Sequence, residues 1–381
     1  MTEPDDVHKI IDTSDALDNL VEAIGNEKAI GVDLEADSMY HFQEKVCLIQ
    51  IASRRINVVI DPLMLEDLAP LRPLFKNPEI QKIFHGADYD VRSLYRDFRI
   101  TINNLFDTEL ASRFLGYAET SLEAVLKNKF DISLDKKYQR KDWSKRPLPQ
   151  EMIAYAAKDA RYLLPLAENL SAELENKGRL GWVKEECEIL SRVRPNTDNL
   201  QPLFIHFKGA GRLDPRSLAV LESLLQYRRR IAQKRDMPLF RIFSSRTLLE
   251  LAEKKPQNLK KLQETGILGP RQISMYGRNL IQAINGAMQI SSKNLPLYPR
   301  KKSPKVPLVV ADRVKALKQW RDARAARLQV DPALVCTKSL ISAIALQKPH
   351  KVSDLSAIQE LKNWQRKEFG REIVQLMNQL R

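Results

Sequence analysis

The chain has 381 residues, 43% of them apolar, and its 62 Lys and Arg outweigh 48 Asp and Glu to give a net charge of +14. That length exceeds what one core usually organises, so two or three domains are expected. The acidic start Met1-Thr2-Glu3-Pro4-Asp5-Asp6 and the lack of a long apolar run argue against a signal peptide or a bilayer span, and three scattered cysteines (Cys47, Cys187, Cys336) argue against a disulfide framework or a zinc site, so the expected location is the reducing cytoplasm.

Ala29-Ile30-Gly31-Val32-Asp33-Leu34 reads as a buried strand, and Val46–Ala52 and Asn57–Asp61 follow at hairpin-like separation. Lys82–His85 is a further short strand, ending at Gly86. Helical patterns then run over Asp88–Phe98, Thr108–Leu115, Ser121–Lys127 and Leu148–Leu170. Pro147 and Pro149 suit the start of the last helix, and Pro165 should kink it. Strands followed by strands alternating with helices predict an α/β domain with a mixed sheet.

From about residue 205 the strand signal ends, and two helical blocks remain, roughly 210–290 and 308–381. Residues 291–307 carry Pro296, Pro299, Pro304 and Pro307, which forbid a helix and stiffen a linker. The blocks read as diverged repeats: Leu224-Leu225-Gln226-Tyr227-Arg228 parallels Leu317-Lys318-Gln319-Trp320-Arg321, Pro238 parallels Pro332, and Leu248 parallels Leu340. Charge divides along the same line. Residues 1–204 hold 27 Lys and Arg against 35 Asp and Glu, a net of −8, while residues 205–381 hold 35 against 13, a net of +22. A basic half of this size suits a polyanion that it binds with counterion release. A solvated basic surface and a membrane surface are the competing readings of that charge.

Acids stand where a structural reading does not need them. Residues i and i+2 of a strand share a face, so Asp33 and Glu35 project together, a costly placement that a bound cation would relieve. Asp90 lies in the first turn after the strand ending at His85, where it, like Asp88, could simply serve the helix dipole. Tyr155 and Asp159 are four apart on one helix face. As a set, the four carboxylates suit hard divalent cations such as Mg²⁺ or Mn²⁺. Two such ions about 3.5–4 Å apart stabilise the attacking and leaving oxygens of an in-line phosphoryl displacement. The Tyr155 hydroxyl can orient the attacking water without ionising.

These motifs resemble the DEDD exonuclease superfamily in its tyrosine-bearing branch, and specifically the ribonuclease D family. Asp33 and Glu35 fall at the first motif, Asp90 at the second, and Tyr155 with Asp159 at the third. The likeness extends to His85-Gly86, Phe106-Asp107-Thr108 and Trp143-Ser144-Lys145-Arg146-Pro147-Leu148, and the helical blocks resemble HRDC domains, the second more weakly. The resemblance implies a ribonuclease H-like α/β exonuclease domain with a mixed sheet over 1–204, an HRDC domain over 205–290, a linker over 291–307 and a second all-α HRDC-like domain over 308–381. It further implies a 3′→5′ exoribonuclease that trims tRNA precursors and other small stable RNAs and releases nucleoside 5′-monophosphates, with no membrane and no partner protein. Asp33 would bridge two metal ions, Glu35 and Asp159 would complete the nucleophile-side ion, Asp90 would support the other through water, and Tyr155 would place the attacking water. Glu35 would also touch the terminal sugar hydroxyls.

Leu34, His85, Tyr138 and Arg146 are further candidates for substrate contact. His85 either meets a phosphate near the scissile bond or packs at a strand end. Tyr40, His41 and Phe42 either stack on a terminal base or pack beneath a neighbouring strand. The Lys136–Trp143 segment interleaves bases with aromatics, as a single-strand contact or a solvated loop would. Of Arg228, Arg229 and Arg230, at least one is expected to be structural. Two other functions fit parts of the pattern: a 3′→5′ DNA exonuclease, since the acids do not separate ribose from deoxyribose, and a non-catalytic nucleic-acid-binding protein.

Overall fold

The computed structural model describes residues 9–195, 202–299 and 307–380, so the acidic start and the 300–306 part of the linker lie outside the described residues. The chain gathers into two compact units, one of residues 1–36, 46–195 and 304–381, the other of residues 37–45 and 196–303. No helix among the described residues is long and apolar enough to cross a membrane.

The first unit opens with β1 (Lys9–Ile11), α1 (Ser14–Ile24), β2 (Ala29–Ala36), β3 (Val46–Ala52), β4 (Asn57–Ile60) and α2 (Leu71–Lys76). It continues with β5 (Gln81–Phe84), α3 (Asp88–Phe98), β6 (Leu105–Asp107), α4 (Thr108–Leu115) and α5 (Leu122–Phe130), then α6 (Gln150–Arg161), α7 (Leu163–Asn176) and α8 (Leu180–Ser191). The six strands form one sheet in the order β1-β4-β3-β2-β5-β6. β2, β3 and β4 are antiparallel neighbours, and the other pairings are parallel, so the sheet is mixed as expected. β1 and β6 are three residues each, too short to show alternation, and were not legible.

β3 is buried along its whole length because both faces of the sheet are covered. On one face Leu48 and Val59 pack against Met152, Ile153, Ala156 and Ala157 of α6. On the other, Val32, Leu34, Ile49 and Ile51 enter the main core. The helix expected over 148–170 is two helices broken at Tyr162. Pro165 is the cause: it lacks an N–H and its ring clashes with the carbonyl of residue 161. At this junction a Cβ on Gly31 would stand 2.6 Å from the Ala160 carbonyl oxygen. A glycine therefore lets the end of α6 lie directly on β2.

In the second unit α9 (Pro215–Arg235), α10 (Leu239–Ile242), α11 (Ser245–Lys254), α12 (Leu259–Glu264) and α13 (Pro270–Met288) enclose a core that includes Leu221, Leu224, Leu248 and Leu280. Arg228 is buried and donates to the Phe243 carbonyl at 3.1 Å, so it is the structural member of its arginine trio. The 37–45 loop belongs to this unit. Phe42 packs on its core, His41 Nδ1 lies 2.6 Å from Asp236, and Arg241 sits over the Tyr40 ring at 4.7 Å. The three loop side chains are thus held by the second unit's residues and not packed beneath a neighbouring strand.

α14 (Leu308–Leu328), α15 (Pro332–Val335), α16 (Lys338–Gln347) and α17 (Asn363–Gln379) complete the first unit. They begin at one constant offset from α9, α10, α11 and α13, which supports the repeat. That offset pairs Leu248 with Ile341 and places Pro238 one residue ahead of its expected match, so two of the sequence pairings were out by one. This block shares the core of the α/β fold. Trp364 and Phe369 pack with Phe114 and Trp182, and Arg179 donates to the Phe114 and Leu328 carbonyls at 2.7 and 2.8 Å. One buried guanidinium thereby satisfies the carbonyl ends of both α4 and α14.

Candidate active site

β2 carries Asp33 and Glu35 out on the face that α6 covers, and a register shift follows immediately at Glu35/Ala36. Such a bulge ends regular pairing and re-aims side chains. Asp33, Leu34, Glu35, His85, Tyr155 and Asp159 line one cavity of about 580 Å³. Asp90 is buried behind it, 9% exposed, near enough to Asp33 and Glu35 to raise their affinity for protons or have its own raised. Asp88 is different: it pairs with Arg92 at 2.8 Å, which separates the two acids of that first turn.

A residue cited only for its motif explains how Asp90 is placed. The Asp107 carboxylate accepts from the backbone N–H groups of Gly86 at 3.0 Å, Ala87 at 2.8 Å, Glu109 at 2.9 Å and Leu110 at 3.1 Å. It caps α4 and fixes the turn that launches α3. Gly86 has φ +75°, a left-handed conformation that suits glycine, and a Cβ there would stand 3.1 Å from Glu109. Glu109 also lines the cavity and was not among the expected site residues.

The acids crowd one another. Burial holds the Asp33 carboxyl up at about 6. Burial, then Asp33, Asp159 and Asp90, push Glu35 up to about 10. Burial and Asp33 raise Asp159 to about 8, and burial raises Asp90 well above the usual range. The Tyr155 hydroxyl is likewise raised by burial and by Asp159, Glu35 and Asp33, so it keeps its proton at neutral pH. Its ring is held by Trp143, stacked at 6.1 Å, and by Tyr138, edge-on at 5.6 Å, while its hydroxyl has no hydrogen-bond partner among the described residues.

The remaining candidates divide. Leu34 lines the cavity but is 9% exposed and belongs mainly to the core. His85 donates through Nδ1 to Thr108 Oγ1 at 2.9 Å, since that hydroxyl itself donates to the Phe84 carbonyl; Nε2 is left buried without a partner. Tyr138 donates to Glu151 at 2.7 Å and braces Tyr155. Arg146 is committed to the fold: it forms a two-pronged pair with Asp61 at 2.5 and 2.6 Å and donates to the carbonyls of Trp143, Lys145 and Cys47. Its donors are spent on the segment before α6, which it pins to β3 and to Asp61 after β4.

Among the described residues, no group of three or more His, Cys, Asp or Glu side chains is arranged so that it could hold a metal ion. The donor set nevertheless fits divalent ions. Four carboxylates share one small region and raise each other's proton affinity, and a hard cation would relieve that repulsion.

Comparison with known proteins bears on this geometry. Residues 8–175 match the 3′-5′ exonuclease family, and residues 217–284 and 310–377 each match the HRDC domain. Ribonuclease D of Gluconacetobacter diazotrophicus is 30% identical over 386 residues, covering 98% of this chain and 93% of that protein. Protein RRP6-like 2 of Arabidopsis thaliana is 32% identical over 260 residues, but the chain spans only 30% of that protein's length. The crystal structure of Escherichia coli RNase D superposes with a TM-score of 0.73 at 24% identity, covering 98% of this chain and 99% of that one, a likeness of fold.

Proposed function

The chain belongs to the ribonuclease D family of 3′→5′ exoribonucleases, and on that premise we propose that it shortens the 3′ ends of tRNA precursors and other small structured RNAs, releasing nucleoside 5′-monophosphates. Divalent-metal dependence is general in this exonuclease family. Here two Mg²⁺ or Mn²⁺ ions are the proposed cofactors, held by Asp33, Glu35, Asp90 and Asp159. When bound, they supply charge neutralisation at the scissile phosphate and activation of water for in-line displacement.

The chain's own residues do the rest. Asp33 and Glu35, side by side on β2, and Asp159, across from them on α6, present carboxylates to one cavity. Asp90 adds a fourth from behind. Tyr155 keeps its proton, and its free hydroxyl orients the attacking water. The Trp143 and Tyr138 rings fix the angle of that hydroxyl. The cavity is small, which suits a single unpaired terminal nucleotide rather than a duplex. Residues 1–204 form the proposed catalytic domain, and the basic blocks 205–290 and 308–381 hold the RNA body.

The observation that carries this reading is the convergence of Asp33, Glu35, Asp159 and an unpartnered tyrosine hydroxyl on one cavity, with Asp90 close enough to act on Glu35. A tRNA bearing a 3′ tail, incubated with Mg²⁺ or Mn²⁺, should lose the tail as single 5′-monophosphates, and EDTA should stop it. Faster turnover of a matched DNA oligonucleotide would favour the DNA-exonuclease reading. Tight tRNA binding with the tail left intact would favour a binding protein.

A further inference from the structure

We propose that Gln50 is a positioning residue for Asp33: its side-chain amide, unpartnered in this fold, turns to donate to the Asp33 carboxylate when that carboxylate receives a divalent ion, and fixes its orientation there. This rests on the metal reading of the site given above.

Gln50 stands directly opposite Asp33 in the antiparallel β2–β3 ladder. Cross-strand partners share a face, with Cα atoms about 4.5–5.5 Å apart. That face lies under α6, because Leu48, two residues along β3, packs against Met152, Ile153, Ala156 and Ala157. Gln50 is 0% exposed, and neither its amide nitrogen nor its amide oxygen has a hydrogen-bond partner among the described residues. An orphaned amide under an apolar helix face costs stability that Leu or Met would not.

Asp33 accounts for the cost. A carboxylate that must offer lone pairs to cations on its open side needs its remaining oxygen sites fixed from behind. An amide donates without bringing charge, whereas a Lys or Arg at position 50 would neutralise Asp33 and compete with the cation. Asn57 provides the contrast. It too has a buried, unpartnered amide on this face, since Asn57 pairs with Ala52 and Val59 pairs with Gln50. But Asn57 lies on β4, two strand spacings or about 9.5 Å from β2, beyond reach of Asp33.

The test is thermal unfolding of the full chain, titrated with Mn²⁺ after EDTA treatment and dialysis, for the wild type, Gln50→Met and Asn57→Leu. Gln50→Met should unfold at or above the wild-type temperature without metal. It should need at least ~10-fold more Mn²⁺ for half of the metal-induced shift, as loss of an outer-shell partner does elsewhere, while Asn57→Leu keeps the wild-type midpoint. In steady state, Gln50→Met should lose kcat at limiting Mn²⁺, recover part of it at high Mn²⁺, and keep the KM for RNA. A wild-type Mn²⁺ midpoint in Gln50→Met would overturn the proposal, as would an equal shift in Asn57→Leu. If Gln50→Met does not fold, Gln50→Leu is read by the same criteria. A wild type that shows no Mn²⁺ shift would instead sink the metal reading of the whole site.

Discussion

Trp182 of α8 stacks on Trp364 of α17, with ring centroids 4.8 Å apart and planes 22° from parallel. Phe114 meets both rings edge-on, at 6.3 and 5.5 Å. The second helical block is therefore part of the structural core of the α/β fold. Trp364 is 4% exposed, and its truncation to Ala should cost about 3–5 kcal/mol. Urea unfolding of Trp364→Ala should show that loss in one transition, with cleavage falling in step with the folded fraction. Two separate transitions would show that the block folds alone. For the same reason, removing 308–381 should destabilise the catalytic fold and not merely weaken RNA binding, which changes how such a deletion should be read.

Asp33→Asn and Asp159→Asn should abolish cleavage and leave RNA binding largely intact, because the basic blocks lie elsewhere in the chain. They should also be more heat-stable than the wild type in EDTA, by ~2–4 °C for each kcal/mol of repulsion relieved. The sign follows from the raised carboxyls: Asp159, held near 8, binds a proton in the folded state that the unfolded chain has lost above about 4. Metal-free stability therefore falls as pH climbs from 4 towards 8, and a saturating divalent ion should flatten that slope. Differential scanning of both variants across this range, with and without Mn²⁺, would decide; lower stability of the Asn variants in EDTA would refute the crowding argument.

Tyr155→Phe keeps the ring against Trp143 and Tyr138 and removes only the hydroxyl. It should lower kcat by ~10²-fold or more, the range for losing a group that positions or transfers a proton, with KM for RNA unchanged. Single-turnover cleavage would separate this from a binding defect. An unaltered chemical step would remove Tyr155 from the mechanism.

Lys82 is buried within β5, with Nζ donating to the Asn77 carbonyl at 2.6 Å and the Ile80 carbonyl at 2.5 Å. Burial lowers its ammonium to about 8. Between about 8 and the unfolded value near 10.4, the unfolded chain binds the extra proton, so the wild type gains stability as pH rises. Against Lys82→Met the gain should approach ~3 kcal/mol across that window. Chemical denaturation of the pair at pH 7.5 and 10 would show it, and a constant difference would mean that Lys82 carries no depressed pKa.

The middle strands and the proposed metal-binding acids were legible because their signals are local. A two-residue period placed Asp33 with Glu35, and a four-residue spacing placed Tyr155 with Asp159. Where partners are distant in sequence, legibility failed. Arg146 looked like a substrate contact because its basic, aromatic-rich surroundings suit RNA, but its partner Asp61 lies 85 residues away. Asp107 acts through four backbone N–H groups, a role that no spacing reveals. The partners of Tyr40, His41 and Phe42, namely Arg241, Asp236 and the second unit's core, were hidden because they come some 195 residues later. The helix break falls at Tyr162, inside a continuous apolar pattern, where the expected kink at Pro165 was the local clue to it.

The central claim is that Asp33, Glu35, Asp90 and Asp159 act as one metal-binding set. Mn²⁺ binding to the full chain, followed by electron paramagnetic resonance of the free ion, tests it most directly. Two ions should bind per wild-type chain in the presence of a nucleoside 5′-monophosphate, and substitution of Asp33 by Asn should remove both. Undiminished Mn²⁺ binding by that variant would contradict the account.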